Sequence, residues 1–174
     1  MRLPPLHASR LGRLLPPALL LCATAAGGGE RLCPGDPAPQ FAFTDMHTGE
    51  TRNLGEVAGG GPLLVVFLQT ACGTCVREMV GLKKLIAETP NCRVLGVFID
   101  IKPRGLAEYV ALYDLPFTFT WDQDSSKADA YGVAWSPTSF LLGPDGKVVA
   151  VYPGFTLDTE ASITADLRQL GIGR

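Results

Sequence analysis

An uninterrupted apolar run, Leu63–Leu68, ends four residues ahead of Cys72, the first residue of a Cys-Gly-Thr-Cys motif that closes at Cys75. The run has the length of a β-strand and the composition of a strand buried on both faces. From 72 to 88 apolar residues recur at helical spacing, and Pro90 ends that pattern. A fully buried strand followed at once by a helix is typical of α/β domains, in which helices cover both faces of a sheet.

The rest of the chain continues this alternation of strands and helices. A hairpin is predicted over 40–54, with its turn at 47–50. The later elements are predicted as a strand at 94–99, a helix at 104–112, a short strand at 117–121, helical turns at 125–131, two strands at 138–142 and 147–152 joined by a Gly-Pro-Asp-Gly turn, and a final helix ended by Gly171. The closing hairpin makes the predicted sheet mixed, within a single domain.

The first 29 residues differ in charge from the remainder. They hold Arg2, Arg10 and Arg13 and no acidic residue, whereas all 17 Asp/Glu follow, against 12 Lys/Arg. A basic start, a short apolar stretch and an Ala-Thr-Ala tripeptide predict a secretory signal peptide over 1–25, cleaved after Ala25. We therefore predict a linker at 26–34, a folded domain at 35–174 and a periplasmic or otherwise exported location.

Two alternatives to cleavage remain open at this terminus. The leader could stay as a short membrane anchor, although Pro16 and Pro17 interrupt its helix. A lipid tether on Cys22 is the other alternative, but Leu21 is larger than the small residue such sites usually have before the cysteine. Either would leave the domain attached to a membrane.

Composition excludes several classes of protein. With 47% hydrophobic and 18% charged residues, the chain suits a packed domain rather than a disordered one. A pI near 5.6 and the lack of any Lys/Arg block argue against nucleic acid as a partner. No apolar run reaches the roughly 18 residues of a transmembrane helix.

Cys72 and Cys75 carry the predicted chemistry. A helix N-terminus offers unpaired N–H groups and a partial positive charge, which lowers the pKa of a thiol placed there. A spacing of three residues brings the second sulfur beside the first, so the pair can form and reopen a disulfide. We expect Cys72 to be the exposed, attacking thiol and Cys75 to resolve the mixed disulfide.

The other cysteines allow two further readings. A structural zinc site would need two more ligands, but His47 is the only histidine beyond the leader, and neither Cys33 nor Cys92 has metal-type spacing. We therefore predict no metal and no cofactor. Cys33 and Cys92 could form a structural disulfide or remain two separate thiols, because sequence does not reveal whether their Cα atoms come within bridging distance.

Three segments together resemble the TlpA/ResA type of thioredoxin-fold protein, within the redoxin (AhpC-TSA) superfamily. They are the opening stretch 35–41, the strand and Cys-x-x-Cys helix at 62–75, and the Gly-Val-x-x-x-Pro-Thr-x-Phe-Leu stretch from Gly132 to Leu141, followed by Gly146. The resemblance implies a thioredoxin fold, with a mixed central sheet flanked by helices and an extra N-terminal β-hairpin. It also implies thiol:disulfide oxidoreductase activity.

The same resemblance implies roles for residues around the cysteines. Pro137 corresponds to the family's cis-proline, which would turn the Ser136 backbone toward Cys72 so that an incoming chain can pair with it. Trp135 and Thr138 flank this position and are expected to contact substrate. Trp135 could instead serve only in core packing.

Glu78 matches an acid that ResA-like proteins carry three residues after the second cysteine. A buried Glu78 would have a raised pKa and could exchange a proton with Cys75. An exposed one would only favour the helix N-terminus through the dipole.

The chain also departs from the family pattern. Ala71 stands where the family usually has Trp, Val66 stands where thioredoxins bury an Asp, and Gly73-Thr74 replaces the Pro-containing pairs of many reducing members. These differences leave the direction of electron flow open, since the intervening dipeptide helps set the reduction potential.

Three functions are compatible with these features. The favoured one is a periplasmic oxidoreductase that reduces protein disulfides, for instance in apocytochrome c before haem attachment, with electrons from a membrane thiol donor. A thiol peroxidase is weaker, because Gln69 and Val65 stand where the peroxidase motif needs Thr and Pro. A copper chaperone would use the two cysteines with His47, which is predicted to lie in the hairpin turn.

Overall fold

The computed structural model describes residues 31–102 and 105–172. The predicted signal peptide at 1–25, the alternatives at Cys22 and the first part of the predicted linker lie outside the described residues and stay predictions. Among the described residues, no helix is both long enough and apolar enough to cross a bilayer.

A five-stranded mixed sheet forms the centre of the domain, in the order β5-β4-β3-β6-β7. Strands β3, β4 and β5 are parallel, while β6 runs antiparallel to both β3 and β7. Their bounds are Leu63–Leu68 (β3), Arg93–Phe98 (β4), Thr118–Trp121 (β5), Thr138–Leu142 (β6) and Val148–Pro153 (β7). All six residues of β3 are buried, as its unbroken apolar run predicts for the central strand.

The predicted N-terminal hairpin forms a separate two-stranded antiparallel sheet. Its strands are shorter than the predicted segment, Ala42–Thr44 (β1) and Thr51–Asn53 (β2). A short helix that the sequence analysis did not predict, Leu54–Ala58 (α1), follows directly. Its signal was the capping box: the Asn53 side chain accepts the Glu56 N–H, and the Glu56 carboxylate accepts the Asn53 N–H.

Four further helices follow strands of the main sheet, three as connections between strands and the last after β7. Their bounds are Gly73–Glu88 (α2), Leu106–Tyr113 (α3), Ser126–Ala130 (α4) and Leu157–Gln169 (α5). Each lies within a few residues of its predicted position, and the thioredoxin fold with its extra hairpin is confirmed. The prediction that helices cover the sheet on both sides is confirmed as well.

The core is divided by the sheet into two clusters, because successive side chains of a strand point to opposite faces. On one face Leu64, Val66 and Leu68 of β3 pack with α2, α3 and α5. On the other face Leu63, Val65 and Phe67 pack with the hairpin, α1 and α4. Helix α2, which begins after Cys72, therefore packs on the first of these two faces.

Candidate active site

Cys72 is the N-cap of α2 and follows β3 by four residues. Its sulfur accepts a hydrogen bond from the Cys75 N–H at 3.1 Å and is covalently bonded to the Cys75 sulfur, the two Cα atoms being 5.2 Å apart. Cys72 is half-buried, whereas Cys75 is fully buried on the inner face of α2. The first sulfur is thus the one that another molecule can reach.

The surroundings of Cys72 favour its thiolate once the pair is reduced. The first turn of α2 contains no acidic residue, so the partial positive charge of a 16-residue helix is not offset there. The Cys75 N–H already points at the Cys72 sulfur. A hydrogen bond from a backbone N–H favours the charged form of the group that accepts it, which lowers the pKa of a thiol at this position.

The loop before β6 lies against the exposed sulfur. The Ser136–Pro137 peptide bond is cis, as the family resemblance implies, and Pro137 is buried. The Ser136 carbonyl oxygen lies 3.9 Å from the Cys72 sulfur. The loop is tied at both ends, since the Thr138 hydroxyl donates to the Trp135 carbonyl at 2.8 Å and Gly154 N–H donates to the Pro137 carbonyl at 2.8 Å.

Trp135 is half exposed, so its ring is not sealed in the core. It borders an apolar cavity of about 160 Å³ on the sheet face opposite α2, whose walls include Leu32, Tyr131, Phe140 and Val151. Thr138 also lines this cavity. Trp135 and Thr138 therefore line one cavity, and of the three residues predicted to contact substrate Ser136 is the one shown against the Cys72 sulfur.

Gln69 is a site residue that the sequence analysis treated only as a mismatch to the peroxidase motif. Its side-chain oxygen accepts a hydrogen bond from the Ser136 hydroxyl at 2.7 Å. The bond joins the segment before Cys72 to the cis-proline loop on the neighbouring strand. The signal available in the sequence was only its position, one residue beyond the buried strand.

Glu78 lies one helical turn after Cys75 on the buried face of α2 and is 1% exposed. One carboxyl oxygen accepts the Ser139 hydroxyl at 2.5 Å, and within the described part of the chain the other has no hydrogen-bond partner. Burial raises the pKa of Glu78 to about 7, against the lowering effect of the Ser139 bond. Of the two alternatives for this residue, the structure has the buried one.

Two residues around Glu78 were missed by the sequence analysis. Ser139 belongs to β6, and the alternation of that strand turns it toward α2. Tyr109 of α3 is buried with a hydroxyl that has no hydrogen-bond partner within the described part of the chain. Burial raises the pKa of Tyr109 to about 12, with smaller contributions from Tyr113, Asp100 and Glu78, so these groups share one electrostatic environment.

Of the two alternatives for Cys33 and Cys92, the disulfide between them is wrong. Cys92 is a free thiol, 1% exposed, in the core cluster beneath α2 and α5, and burial raises its pKa to about 12. The segment that contains Cys33 runs instead toward the start of β7, and Leu32 packs against the opposite face of the sheet. Leu32, the neighbour of Cys33 in the chain, and Cys92 therefore pack on opposite faces of the sheet.

Residues 31–102 and 105–172 contain no cluster of three or more His, Cys, Asp or Glu side chains that could hold a metal ion. The Nε2 atom of His47 lies 3.1 Å from the Phe117 carbonyl, just before β5 begins. Cys72 follows the end of β3, and β3 and β5 run in the same direction within the sheet. His47 therefore lies at the end of the sheet where the parallel strands begin, and Cys72 lies at the end where they finish.

Comparison with known proteins agrees with this geometry. The Redoxin family profile matches residues 33–167. The chain belongs to the Redoxin family. This redoxin is 30% identical over 154 residues to the thiol-disulfide oxidoreductase ResA of Bacillus subtilis, covering 83% of both chains. It is 33% identical over 122 residues to ResA of Bacillus anthracis, covering 69% of both chains.

Solved structures show the same likeness. A Chlorobium tepidum protein assigned as thiol:disulfide interchange protein DsbE superposes with a TM-score of 0.74 at 25% identity, covering 80% of this redoxin and 98% of that chain. Peroxidoxin BcpB of Mycobacterium tuberculosis shares the fold, with a TM-score of 0.70 at 23% identity over 80% of this redoxin and 98% of that chain. The redoxin is a thiol-disulfide oxidoreductase, as the resemblance predicts.

Proposed function

We propose that this redoxin works outside the cytoplasm, where it reduces disulfides in other proteins through Cys72 and Cys75. The observation that carries the proposal is the unequal exposure of the two bonded sulfurs. Cys72 is partly exposed and lies near the Ser136 carbonyl, while Cys75, in the first turn of α2, is fully buried. This arrangement supports ordered attack by one thiol and resolution by the other.

The first step begins from the reduced enzyme. The Cys72 thiolate attacks one sulfur of a substrate disulfide, forming a mixed disulfide and releasing the other substrate sulfur as a thiolate, which takes a proton from solvent. The substrate backbone pairs with the Ser136 edge, which places its sulfur beside Cys72. Trp135 and Thr138 contact the residues on either side of the substrate cysteine.

The second step needs a proton acceptor in the interior. Cys75 must lose its proton before its sulfur can attack Cys72, and burial opposes a free thiolate there. Glu78 accepts that proton, because an acid with a pKa of about 7 can take up and return protons at neutral pH. The Cys75 sulfur then bonds to Cys72 and the second substrate sulfur departs as a thiolate. Two electrons have passed to the substrate, and the enzyme ends in its disulfide form.

Return to the dithiol form needs a reductant. A membrane protein with a reactive dithiol would transfer its two electrons through the same exposed sulfur, by the reverse sequence of steps. The basic, apolar leader supports export across a membrane, which would place the domain where such a donor is accessible. A retained anchor would serve the same purpose.

Apocytochrome c is the substrate we propose. Its Cys-x-x-Cys-His haem-attachment segment is short and extended before haem is joined, and it must be reduced for that reaction. An extended segment of this kind can pair with the exposed backbone at Ser136 more readily than a folded protein surface can. The sequence identity of 30–33% to the ResA proteins is compatible with this role.

Equilibration of the Cys72–Cys75 pair with glutathione, followed by reduction assays, tests the proposal. We expect a potential close to that of thioredoxin, and turnover of an oxidised Cys-x-x-Cys-His peptide that is lost in Cys72→Ser while the circular dichroism spectrum is retained. Cys92→Ser is the matched control, because it removes a buried thiol away from the site.

Three results would contradict the proposal. A potential as oxidising as that of DsbA would make the redoxin an oxidase. Rapid peroxide consumption by Cys75→Ser would favour the peroxidase alternative. Stoichiometric Cu(I) binding that is lost in Cys72→Ser, with no disulfide exchange by the wild type, would favour the copper chaperone.

A further inference from the structure

Asp100 lies just beyond the end of β4, beside the segment that carries β3 into the active helix. Both of its carboxyl oxygens accept the Thr70 N–H, each 3.1 Å from the Thr70 nitrogen. One of them also accepts the Thr70 hydroxyl, with 2.7 Å between the two oxygens. Thr70 is two residues ahead of Cys72. The carboxylate thus holds both the backbone and the side chain of the connection that ends at the reactive sulfur.

Asp100 is itself fixed from the next strand. The Trp121 indole N–H donates to the Asp100 carbonyl at 2.8 Å, and the Ile99 N–H donates to the Leu68 carbonyl at 3.0 Å. Parallel strands end at one edge of a sheet, so these bonds join the ends of β3, β4 and β5 into a single support. From α3, Tyr109 is the titratable group close enough to Asp100 for its pKa to respond to that charge.

The connection is held from two sides by bonds of different kinds. Toward β6, Gln69 accepts a hydrogen bond from the Ser136 hydroxyl, and this exposed bond joins two neutral groups. Toward β4, the bonds to Asp100 have a charged acceptor and are partly buried, and hydrogen bonds to a charged group are the stronger class. The Asp100 side is therefore the fixed one.

We propose that Asp100 is a positioning residue for the dithiol reaction, acting through Thr70 to hold Cys72 at the distance from Cys75 that disulfide closure requires. Cys72 keeps its N-cap geometry, with its sulfur 3.1 Å from the Cys75 N–H, only if the preceding backbone stays in place. Displacements near 1 Å can lower the rate of a reaction between two held groups by about a hundredfold. The inference builds on the exchange chemistry of the proposed function but on no particular substrate.

The two outcomes of removing Asp100, loss of charge and loss of hydrogen bonds, are separable. Asp100→Ala loses both, while Asp100→Asn loses the charge and keeps an oxygen that can accept from Thr70. Positioning predicts that the equilibrium constant for forming the Cys72–Cys75 disulfide against glutathione falls about tenfold in Asp100→Ala, which corresponds to about 30 mV. In Asp100→Asn we expect it to stay within about threefold of wild type.

A second pair of variants covers the case in which Asp100→Ala does not fold. Thr70→Val removes the hydroxyl bond at nearly constant volume, and Thr70→Ser keeps it. We expect a several-fold decrease in the same constant for valine and rescue by serine. Asp145→Ala is the matched control, because that carboxylate accepts the Lys147 N–H in the turn at the opposite edge of the sheet.

The results that overturn the inference are distinct from those that overturn the proposed function. Equal changes of the equilibrium constant in Asp100→Ala and Asp100→Asn would assign the effect to charge. An unchanged constant in Asp100→Ala would contradict the positioning role. If Asp100→Ala does not fold, an unchanged constant in Thr70→Val would do the same. Failure to reduce the haem-attachment peptide, with the expected variant pattern against glutathione, would reject only the proposed substrate. A wild-type pair that does not exchange with glutathione would reject both.

Discussion

Replacing Glu78 with glutamine should make the stability of the oxidised protein depend differently on pH. Burial raises the pKa of Glu78 from 4.5 to about 7. Below pH 4.5 the carboxyl is protonated in both the native and the unfolded state, so it carries no penalty. Between pH 4.5 and 7 the unfolded chain ionises while the native protein keeps its proton, and native stability falls as pH rises. At 1.36 kcal/mol per pH unit, the full loss is about 3 kcal/mol above pH 7.

Glutamine has a similar shape and does not ionise, so Glu78→Gln removes this pH-dependent loss. The assay is urea unfolding of both oxidised proteins at several pH values from 4.5 to 8, with the free energy of unfolding compared at each. The variant should gain about 3 kcal/mol relative to wild type across that range. Glu88→Gln, an exposed carboxyl at the end of the same helix, is the control. A difference between Glu78→Gln and wild type that does not change with pH would refute the reasoning.

Three more outcomes follow from the structure. Cys75→Ser should accumulate a mixed disulfide through Cys72, seen as a mass increase equal to the substrate, and release of substrate at the wild-type rate would contradict the resolving role. Cys92 should resist alkylation in the native oxidised protein and react fully in denaturant, because it is buried with a raised pKa; rapid native labelling would show that the core is open there. Gly96→Ala should lower the free energy of unfolding by about 1–3 kcal/mol, since a Cβ would overlap the Phe119 ring, while Gly73→Ala, whose Cβ meets open space, should not; equal effects would contradict the packing argument.

Local pattern was enough to predict most elements of the fold. The strand at Leu63–Leu68 and the helix after Cys72 are predicted by their apolar spacing, because that pattern can be recognised within one segment. The cis bond before Pro137 required the family resemblance, because a single proline does not reveal its isomer. Helix α1 was missed although its capping residues were present in the sequence.

The candidate site also has features that local sequence determines and features that depend on the tertiary structure. The sequence by itself determined that Cys72 and Cys75 stand at the start of a helix, since their spacing and the preceding strand are local features. Only the tertiary structure decided that Ser139 meets Glu78, that Asp100 holds Thr70, and that Cys92 stays away from Cys33. These arrangements involve residues from different elements of the fold, and the order and facing of those elements depend on how the whole core packs. Burial, which gives Glu78 its raised pKa, likewise belongs to the assembled core rather than to any one segment.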